Sequence, residues 1–208
     1  PILGLKETGF VTSDDALTMR EAPESIIFLG AGAVAVELAQ FFLRIGTKVT
    51  LLQRSGHILS QGDEDLARPV EDRLRQEGMD LFTGTKIIKA AKENGRSVIY
   101  FEYEGKEKRV EAETILQALG RRPNIDGLNL PAAGVETNKG RVTVDSEMRT
   151  NQKNIFAVGD VNGIHEVVHI AIQQGETAGF NACNPEASKE VDDRLKASVV
   201  FTDPAVAS

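Results

Sequence analysis

Two glycines and an alanine lie at a spacing that suits the binding of a phosphate group. Gly30, Gly32 and Ala35 form the pattern G-x-G-x-x-A between an apolar run, Ile26–Leu29, and a helix predicted over Ala33–Ile45. The first glycine permits a tight turn, the second lets a pyrophosphate approach the backbone, and the small third residue lets the helix pack on the strand. The N–H groups and positive dipole end of the helix N-terminus then attract the phosphates.

The residues after this helix complete a Rossmann-like dinucleotide-binding unit. Gly46 ends the helix, and Val49–Leu52 forms a second apolar strand at the expected distance. Ala33 and Val34, the first residues of the helix, belong with the two glycines to the predicted cofactor site. A glycine turn that binds no ligand is the alternative interpretation, and the strands on both sides argue against it.

Gln53 and Arg54, at the end of the second predicted strand, indicate which nucleotide binds. Gln53 lies where an NAD-dependent enzyme presents Asp or Glu to the ribose hydroxyls, about 20 residues after the first glycine. A neutral Gln53 removes the carboxylate that would repel a 2′-phosphate, and Arg54 offers that phosphate a fork of donors. We therefore predict a preference for NADP over NAD. The alternative is that Arg54 is an ordinary surface arginine.

The rest of the N-terminal half predicts an α/β fold with a parallel sheet. A second helix is expected within Gly62–Gly78, where Pro69 either takes the first helical position near Arg68 or bends the helix. Pro1–Glu24 is predicted as mostly loop, with Thr12 beginning a cap for a short helical turn. A third parallel strand is predicted at Met79–Phe82, and a strand that returns to the sheet is predicted at Thr114–Leu119. Between them we predict a three-stranded antiparallel meander in place of a crossover helix, with strands at Lys86–Glu93, Ser97–Tyr103 and Lys106–Ala112.

The C-terminal half predicts fewer regular elements. Gly120–Asn124 interrupts the pattern sharply, and Leu128–Asn138 is predicted as loop. A long helix is predicted at Val167–Ala182, and short strands are predicted at Arg141–Val144, Ile155–Val158 and Ser198–Phe201.

Composition excludes several classes of function. The chain has 208 residues, with 24 basic and 31 acidic side chains, and the net charge of −7 argues against binding to nucleic acid or anionic membranes. There is no apolar run long enough to span a bilayer and no signal-peptide pattern. The single Cys183 excludes a disulfide within the chain and suits a reducing, cytoplasmic setting. His57, His165 and His169 have no metal-ligand spacing, so no metal site is predicted.

Three motifs in order resemble one enzyme family. They are GAGAVAVE at Gly30–Glu37, ALGRRPN at Ala118–Asn124, and TNQKNIFAVGDV at Thr150–Val161, followed by HIAIQQGETA at His169–Ala178. Together they resemble the flavin-dependent pyridine nucleotide-disulfide oxidoreductases, the group of dihydrolipoamide dehydrogenase, glutathione reductase and mercuric reductase. The resemblance implies a homodimeric enzyme that passes hydride from NAD(P)H to FAD, and then electrons to a cysteine pair and a substrate.

The resemblance also implies a domain plan, in which an NAD(P) domain interrupts a split FAD domain. Residues 1–22 would end the first FAD segment, 23–120 form the NAD(P)-binding domain, 121–197 form the returning FAD segment, and 198–208 begin a dimerisation domain. We expect the sequence to be an internal fragment, with the redox cysteine pair before Pro1 and the catalytic His–Glu pair after Ser208. No catalytic residue is therefore predicted within it, and the isolated chain is expected to bind little or no FAD.

Further site residues follow from the resemblance. Glu37 would lie near the nicotinamide ribose and amide; otherwise it is an acid placed favourably near a helix N-terminus. Gly120 and Arg121 would form a turn where the two cofactor domains meet, or only a domain boundary. Gly159 and Asp160 would contact FAD, with the Asp160 carboxylate bonded to the ribityl chain; otherwise Asp160 caps a turn.

Val168 and His169 begin the last long helix, whose N-terminus in the family points at the pyrimidine side of the flavin. The positive dipole end would stabilise negative charge on the reduced ring. His169 would act through its backbone, and its side chain is expected to be structural.

Three functions remain to be compared at this point. The first is part of an FAD-dependent oxidoreductase, the second is a nucleotide-binding or sensing module without disulfide turnover, and the third is a structural α/β domain. A cysteine pair in the full-length protein would favour the enzyme over the sensor. Titration with cofactors distinguishes the structural domain from the other two functions, because a structural domain would bind no cofactor.

The cysteine content leads to a prediction about turnover. A disulfide reductase of this kind cycles a cysteine pair between dithiol and disulfide, whereas the 208-residue chain contains only Cys183. We expect the chain with added FAD to reduce neither lipoamide nor glutathione disulfide, measured as oxidation of NADPH or NADH. Turnover that survives repurification of the protein would contradict this prediction.

Overall fold

The computed structural model describes residues 2–192, 194 and 196–208. These fall into two compact units, the chain up to Gly120 together with Val199–Ser208, and Arg121–Ser198. Their assignment to cofactor domains stays a prediction. In chain order the elements are α1 (Leu5–Thr8), α2 (Ser13–Thr18), β1 (Ser25–Leu29), α3 (Ala33–Arg44), β2 (Lys48–Leu52), α4 (Glu64–Gln76), β3 (Asp80–Phe82), β4 (Lys86–Glu93), β5 (Arg96–Tyr103), β6 (Lys106–Ala112), β7 (Thr114–Gln117), β8 (Thr137–Asn138), β9 (Arg141–Val142), α5 (Val168–Cys183), β10 (Val199–Val200) and β11 (Val206–Ala207).

A four-stranded parallel sheet forms the centre of the first unit. The strand order is β3-β2-β1-β7, so the chain moves outward from β1 to β3 and then returns to the other side of β1. Every residue of β1 is buried, as its continuous apolar run predicts for a strand covered on both faces. The predicted mixed α/β fold with a parallel sheet is therefore confirmed.

The two faces of this sheet are covered by different structures. Ile26 and Phe28 belong to a core cluster with the side chains of α3 and α4. Ile27 and Leu29 point the opposite way, as alternation along a strand requires, and belong to a cluster with residues of the meander β4-β5-β6. The meander thus takes the place of a crossover helix, as predicted.

Two short helices precede β1 in a region predicted as mostly loop. Thr12 and Asp15 form a capping box at the start of α2, with the Thr12 N–H donating to the Asp15 carboxylate at 2.7 Å, which confirms the predicted cap. The helix α1 was not predicted. It has only four residues, fewer than an isolated helix needs, and its buried Leu5 packs in the cluster beneath the meander.

Pro69 lies inside α4, which begins five residues earlier at Glu64. The alternative in which Pro69 takes the first helical position is therefore wrong. An internal proline removes one backbone hydrogen bond. The helix continues through it because Val70 and Leu74, both fully buried, pack in the core cluster on the sheet.

The second unit contains α5 and a small hairpin. Thr137–Asn138 was predicted as loop but pairs with Arg141–Val142. Lys139 and Gly140 between them have φ values of +51° and +76°, the conformation of a two-residue type I′ hairpin turn.

The strand predicted at Ile155–Val158 is wrong. A single bridge joins Phe156 to Arg149 there. Met148, the residue before Arg149, has a φ of +65°. The chain therefore turns immediately before the bridge, and the pairing does not extend into a strand. The strand predicted at Ser198–Phe201 is shortened to Val199–Val200, which pairs with Val206–Ala207 in the first unit.

In the part of the chain that the structure describes, no helix has both the length and the apolar character needed to cross a bilayer.

Gly30 joins β1 to α3 in a conformation that glycine adopts far more easily than other residues. Its φ is +98°, and a Cβ here would lie 2.5 Å from the carbonyl oxygen of Ala118, which follows β7. The Gly30 N–H donates to Leu52 O, and the Ala118 N–H donates to Leu29 O, both at 2.9 Å. Backbone conformation and lack of space therefore both exclude a side chain.

Ion pairs hold the segment after β10 against α3 and α4. The Glu77 carboxylate, just after α4, pairs with Arg44 at 2.6 Å and with Arg73 at 2.7 Å. Arg44 also pairs with Asp203 at 2.6 Å. The backbone of Asp203 exchanges two hydrogen bonds, of 2.8 and 2.9 Å, with the Gln40 amide. The hydrogen bond from Arg44 holds the pKa of Glu77 below its ordinary value of 4.5.

Gly30→Ala is expected to destabilise the first unit by about 2–5 kcal/mol, combining the cost of a Cβ at positive φ with that of the clash. Gly46→Ala is the matched control, because Gly46 has the same φ of +98° but no atom within 4 Å of the added Cβ. The control should lose only about 1–2 kcal/mol. Urea unfolding measures both, and equal losses would contradict the close approach to Ala118.

Glu77→Gln tests the ion pairs through pH. The pKa of Glu77 is lowered in the folded chain, so the stability it contributes is present above its ordinary value of 4.5. That stability is lost as the pH falls through the folded-state pKa. Below about pH 4.5, the unfolding free energy of the wild type should therefore fall more steeply than that of Glu77→Gln. Urea titrations at several pH values measure the slopes, and identical slopes would disprove the linkage.

Candidate functional site

The carboxyl ends of the parallel strands meet at the glycine turn. β1 has β2 on one side and β7 on the other, and the chain runs outward from β1 through β2 to β3 before it returns to β7. In open α/β sheets, ligands bind in the crevice outside the carboxyl ends of strands at such a reversal. Gly30 follows β1 at this point, and the exposed Gly120 follows β7.

The N-terminus of α3 is exposed beside these carboxyl ends. Gly32 is the N-cap, no side chain bonds to the cap, and the first turn carries no acidic residue. Gly32, Ala33 and Val34 are exposed, and a Cβ on Gly32 would meet no atom within 4 Å. Ala35 is buried and packs in the core cluster. The residues predicted from the G-x-G-x-x-A pattern thus present free N–H groups to open space, which fits the phosphates of a dinucleotide.

Arg54 and Gln53 lie beside this turn at the end of β2, and their surroundings differ. Arg54 is exposed, and among residues 2–192, 194 and 196–208 its guanidinium has no hydrogen-bond or ion-pair partner. Gln53 is buried, and its Nε2 donates to Ser60 Oγ at 3.4 Å. The unpaired Arg54 is therefore available to an anionic group, whereas the side-chain amide of Gln53 is directed to its own loop.

The residues between Arg54 and Ser60, which we call the β2 loop (residues 54–60), are held from two directions. The Leu59 N–H donates to Ala31 O in the glycine turn at 2.8 Å. The Ile58 N–H donates to Oε1 of Glu71 at 2.8 Å, and Oε2 of Glu71 pairs with Arg75 at 3.0 Å. Sequence reasoning missed Glu71. The available signal was an acid on the same face of α4 as its apolar residues.

Glu37 lies one turn into α3, where its carboxylate has a partner. Its Oε1 accepts a hydrogen bond from the Phe201 N–H at 2.8 Å. The predicted contact of Glu37 with the nicotinamide ribose stays a prediction, and in this structure the side chain is occupied by the segment around β10. Nothing in the local sequence around Glu37 indicates this partner, because the two residues are far apart in the chain.

In the second unit, Arg121 links the predicted flavin contact Asp160 to Glu166, which precedes α5. Its Nη1 lies 3.3 Å from Oδ2 of Asp160, and its Nε and Nη2 bond to the side chain and backbone of Glu166 at 3.1 and 2.7 Å. Asp160 lies in a single 3-10 turn, Gly159–Val161. Arg121 therefore joins this turn to the segment that enters α5, and about half of the Asp160 side chain stays exposed.

The N-terminus of α5 is open, like that of α3. Val168 and His169 are exposed, and Val167 at the N-cap makes no side-chain cap. Gly159, at φ +70°, packs against α5, and a Cβ there would lie 3.1 Å from that of Ala171.

Gln174, which sequence reasoning missed, fixes the turn to α5. Its Oε1 accepts from the Gly159 N–H at 2.7 Å and from Asn162 Nδ2 at 2.9 Å. Its Nε2 is buried and has no hydrogen-bond partner within the described part of the chain. A buried donor without a partner is costly, so this atom fits a site completed by a bound polar group.

His57, His165 and His169 are not grouped. Among the described residues, no set of three or more His, Cys, Asp or Glu side chains is arranged to hold a metal ion.

Comparison with known proteins gives one consistent family. The family model for pyridine nucleotide-disulphide oxidoreductases matches residues 1–175. Mercuric reductase of Staphylococcus aureus is 36% identical over all of the chain. Dihydrolipoyl dehydrogenase of Geobacillus stearothermophilus is 36% identical over 94% of it. The solved structure of the HOCl-induced flavoprotein disulfide reductase RclA from Escherichia coli superposes over the whole chain with a TM-score of 0.88 and 27% identity.

These relatives are longer than the chain. It covers 38% of the mercuric reductase, 42% of the dihydrolipoyl dehydrogenase and 47% of RclA. The resemblance drawn from the three sequence motifs is confirmed by all three proteins. The family model, which spans most of the chain, shows that the protein belongs to the pyridine nucleotide-disulphide oxidoreductase family.

Proposed function

We propose that this chain is the NAD(P)H-binding portion of an FAD-dependent oxidoreductase that reduces a disulfide or, as in mercuric reductase, a metal ion. The observation that supports this most strongly is the open N-terminus of α3, which follows Gly30 and Gly32 at the reversal point of the parallel sheet. Free N–H groups and a positive dipole end bind a pyrophosphate there. Family membership supports the same conclusion.

The nucleotide would bind along the carboxyl edge of the sheet. Its pyrophosphate would lie on the N–H groups of Gly32, Ala33 and Val34, and its adenosine ribose would lie beside the end of β2. Arg54 is exposed and unpaired there, within the described residues, and no carboxylate occupies position 53 to repel a 2′-phosphate. We therefore infer a preference for NADPH over NADH.

The residues of the second unit fit a contribution to FAD binding. The open N-terminus of α5 would stabilise negative charge through the backbone of Val168 and His169. Asp160 would accept a hydrogen bond from a ribityl hydroxyl, and Arg121 holds its turn in place. The buried Nε2 of Gln174 is a further donor for a bound polar group. FAD, when bound, would accept hydride from NAD(P)H and pass electrons onward.

We also propose that the full-length protein is a cytoplasmic homodimer. Its redox cysteine pair would lie outside these 208 residues, because Cys183 is the only cysteine here. That single cysteine also favours a second candidate, a nucleotide-binding or sensing module without disulfide turnover. Reduction of the full-length protein by NADPH, followed by thiol titration, separates the two, because only the enzyme gains two thiols.

Arg54→Ala is the decisive change for the nucleotide. A hydrogen bond to a charged group contributes roughly 1.5–3 kcal/mol, or about ten- to a hundredfold in affinity. Solvent and salt place an exposed arginine at or below that range. The variant should therefore bind NADPH up to about tenfold more weakly and NADH almost unchanged. Added salt should reduce the difference, and calorimetric titration measures all four affinities.

Arg109→Ala provides the matched control for Arg54→Ala. It removes the same charge from an exposed arginine of the first unit that is already paired with Glu93 and Glu111 on the meander. It should leave both nucleotides unaffected. If Arg54→Ala weakens NADPH and NADH equally, Arg54 has a structural role and the assignment to NADP fails. If the wild type binds neither nucleotide, the proposed function fails.

A further inference from the structure

We propose that Glu71, a buried acid on α4, is a positioning residue that sets the β2 loop against the nucleotide. The proposal rests on the proposed function of the glycine turn as a dinucleotide site. It concerns a residue outside the G-x-G-x-x-A pattern, on a helix that would contribute no direct contact to the nucleotide. The β2 loop begins with Arg54, so its position determines where the guanidinium can reach.

The carboxylate of Glu71 connects α4 to the loop backbone. Its side chain is 10% exposed, and a charged group buried to this degree needs partners for both oxygens. Oε1 accepts from the Ile58 N–H at 2.8 Å, and Oε2 pairs with Arg75 Nη1 at 3.0 Å. The side chain of Ile58 is fully buried in the core cluster. The bond therefore fixes a loop residue that is itself anchored below.

Two neighbouring residues of the loop, Leu59 and Ser55, are anchored by backbone hydrogen bonds. The Leu59 N–H donates to Ala31 O at 2.8 Å, and the Gly84 N–H donates to Ser55 O at 2.7 Å. Leu59 has a φ of +50°, a conformation that persists in a residue with a side chain only when its surroundings impose it. Of these three anchors, only the one on Ile58 comes from a side chain.

Removal of the carboxylate would leave the Ile58 N–H buried without an acceptor. The loop would lower this cost by moving outward to reach water. Such a movement would displace Arg54, because no hydrogen bond or ion pair within the described part of the chain holds its guanidinium in place. The 2′-phosphate contact would weaken most, because it depends on the loop, whereas the pyrophosphate contact depends on α3.

The competing interpretation is that Glu71 only stabilises α4 through its pair with Arg75, four residues on. Pairs at this spacing contribute little on helices. Two substitutions separate the roles. Glu71→Gln retains an oxygen acceptor for the Ile58 N–H but loses the charge that faces Arg75. Glu71→Leu removes the acceptor and the charge together and replaces them with an apolar side chain of similar size.

Glu77→Leu is the control for a general loss of stability. Glu77 is also a mostly buried acid, at the C-terminal end of α4, and pairs with Arg44 and Arg73 rather than with the loop. Affinities for NADPH and NADH are measured by calorimetry on the 208-residue chain, well below the unfolding temperature of each variant. Hydrogen exchange of the Ile58 amide is measured in parallel.

We expect Glu71→Leu to bind NADPH about tenfold more weakly, with a smaller loss for NADH, and to lose protection of the Ile58 amide. Glu71→Gln should bind both nucleotides within about twofold of the wild type. Glu77→Leu should unfold at a lower temperature with unchanged affinities. If Glu71→Leu does not fold, Glu71→Ser, which is too short to reach Ile58, should show the same selective loss of NADPH.

An unchanged ratio of NADPH to NADH affinity in Glu71→Leu or Glu71→Ser would overturn the positioning role and leave the proposed function intact. A loss in Glu71→Gln as large as that in Glu71→Leu would assign the effect to the pair with Arg75, and would also overturn it. Absence of nucleotide binding by the wild type is a different result, because it removes the proposed function and this inference together.

Discussion

The backbone at Gly30 passes so close to Ala118 that no side chain fits between them, and the positive φ of Gly30 turns the chain from β1 directly into α3. This close approach places the N-terminus of α3 at the carboxyl ends of β1 and β7. The open first turn of the helix and the exposed Gly32 beside the strand reversal depend on it. A bulkier residue at Gly30 would have to separate β1 from the end of β7, and the phosphate-binding geometry would be lost with the strand contact.

At each candidate site, a buried polar side chain holds a loop or turn in place through its backbone. In the first unit, Glu71 holds the backbone of Ile58 and so fixes the loop beside the glycine turn. In the second unit, Gln174 holds the backbone of Gly159 and so fixes the turn that carries Asp160. Both side chains accept hydrogen bonds from backbone N–H groups, which need a partner when they are buried. The proposed cofactor contacts are therefore positioned by helices that supply buried polar groups, and Glu71 does so from a helix that would not touch the nucleotide.

Most regular elements of the first unit could be predicted because their signals are local. Apolar runs bounded by glycine define β1 and β2, and alternation with turn residues defines the meander. Where an element was predicted wrongly or not predicted, contacts with residues distant in the sequence determine the local structure. The four-residue α1 exists because Leu5 is buried beneath the meander. The apolar segment before Gly159 forms only one bridge because its partner turns away at Met148.

The sequence by itself determined the glycine turn, the parallel sheet and the family, since these depend on residue types a few positions apart and on three motifs in a fixed order. Only the tertiary structure decided how the candidate residues are partnered. Glu37 is bonded to Phe201, Asp160 is paired with Arg121, and Arg54 is left without a partner among the described residues. Hydrogen bonds and ion pairs of this kind join residues far apart in the chain. Their geometry is fixed when each unit folds, and no local pattern of residues encodes it.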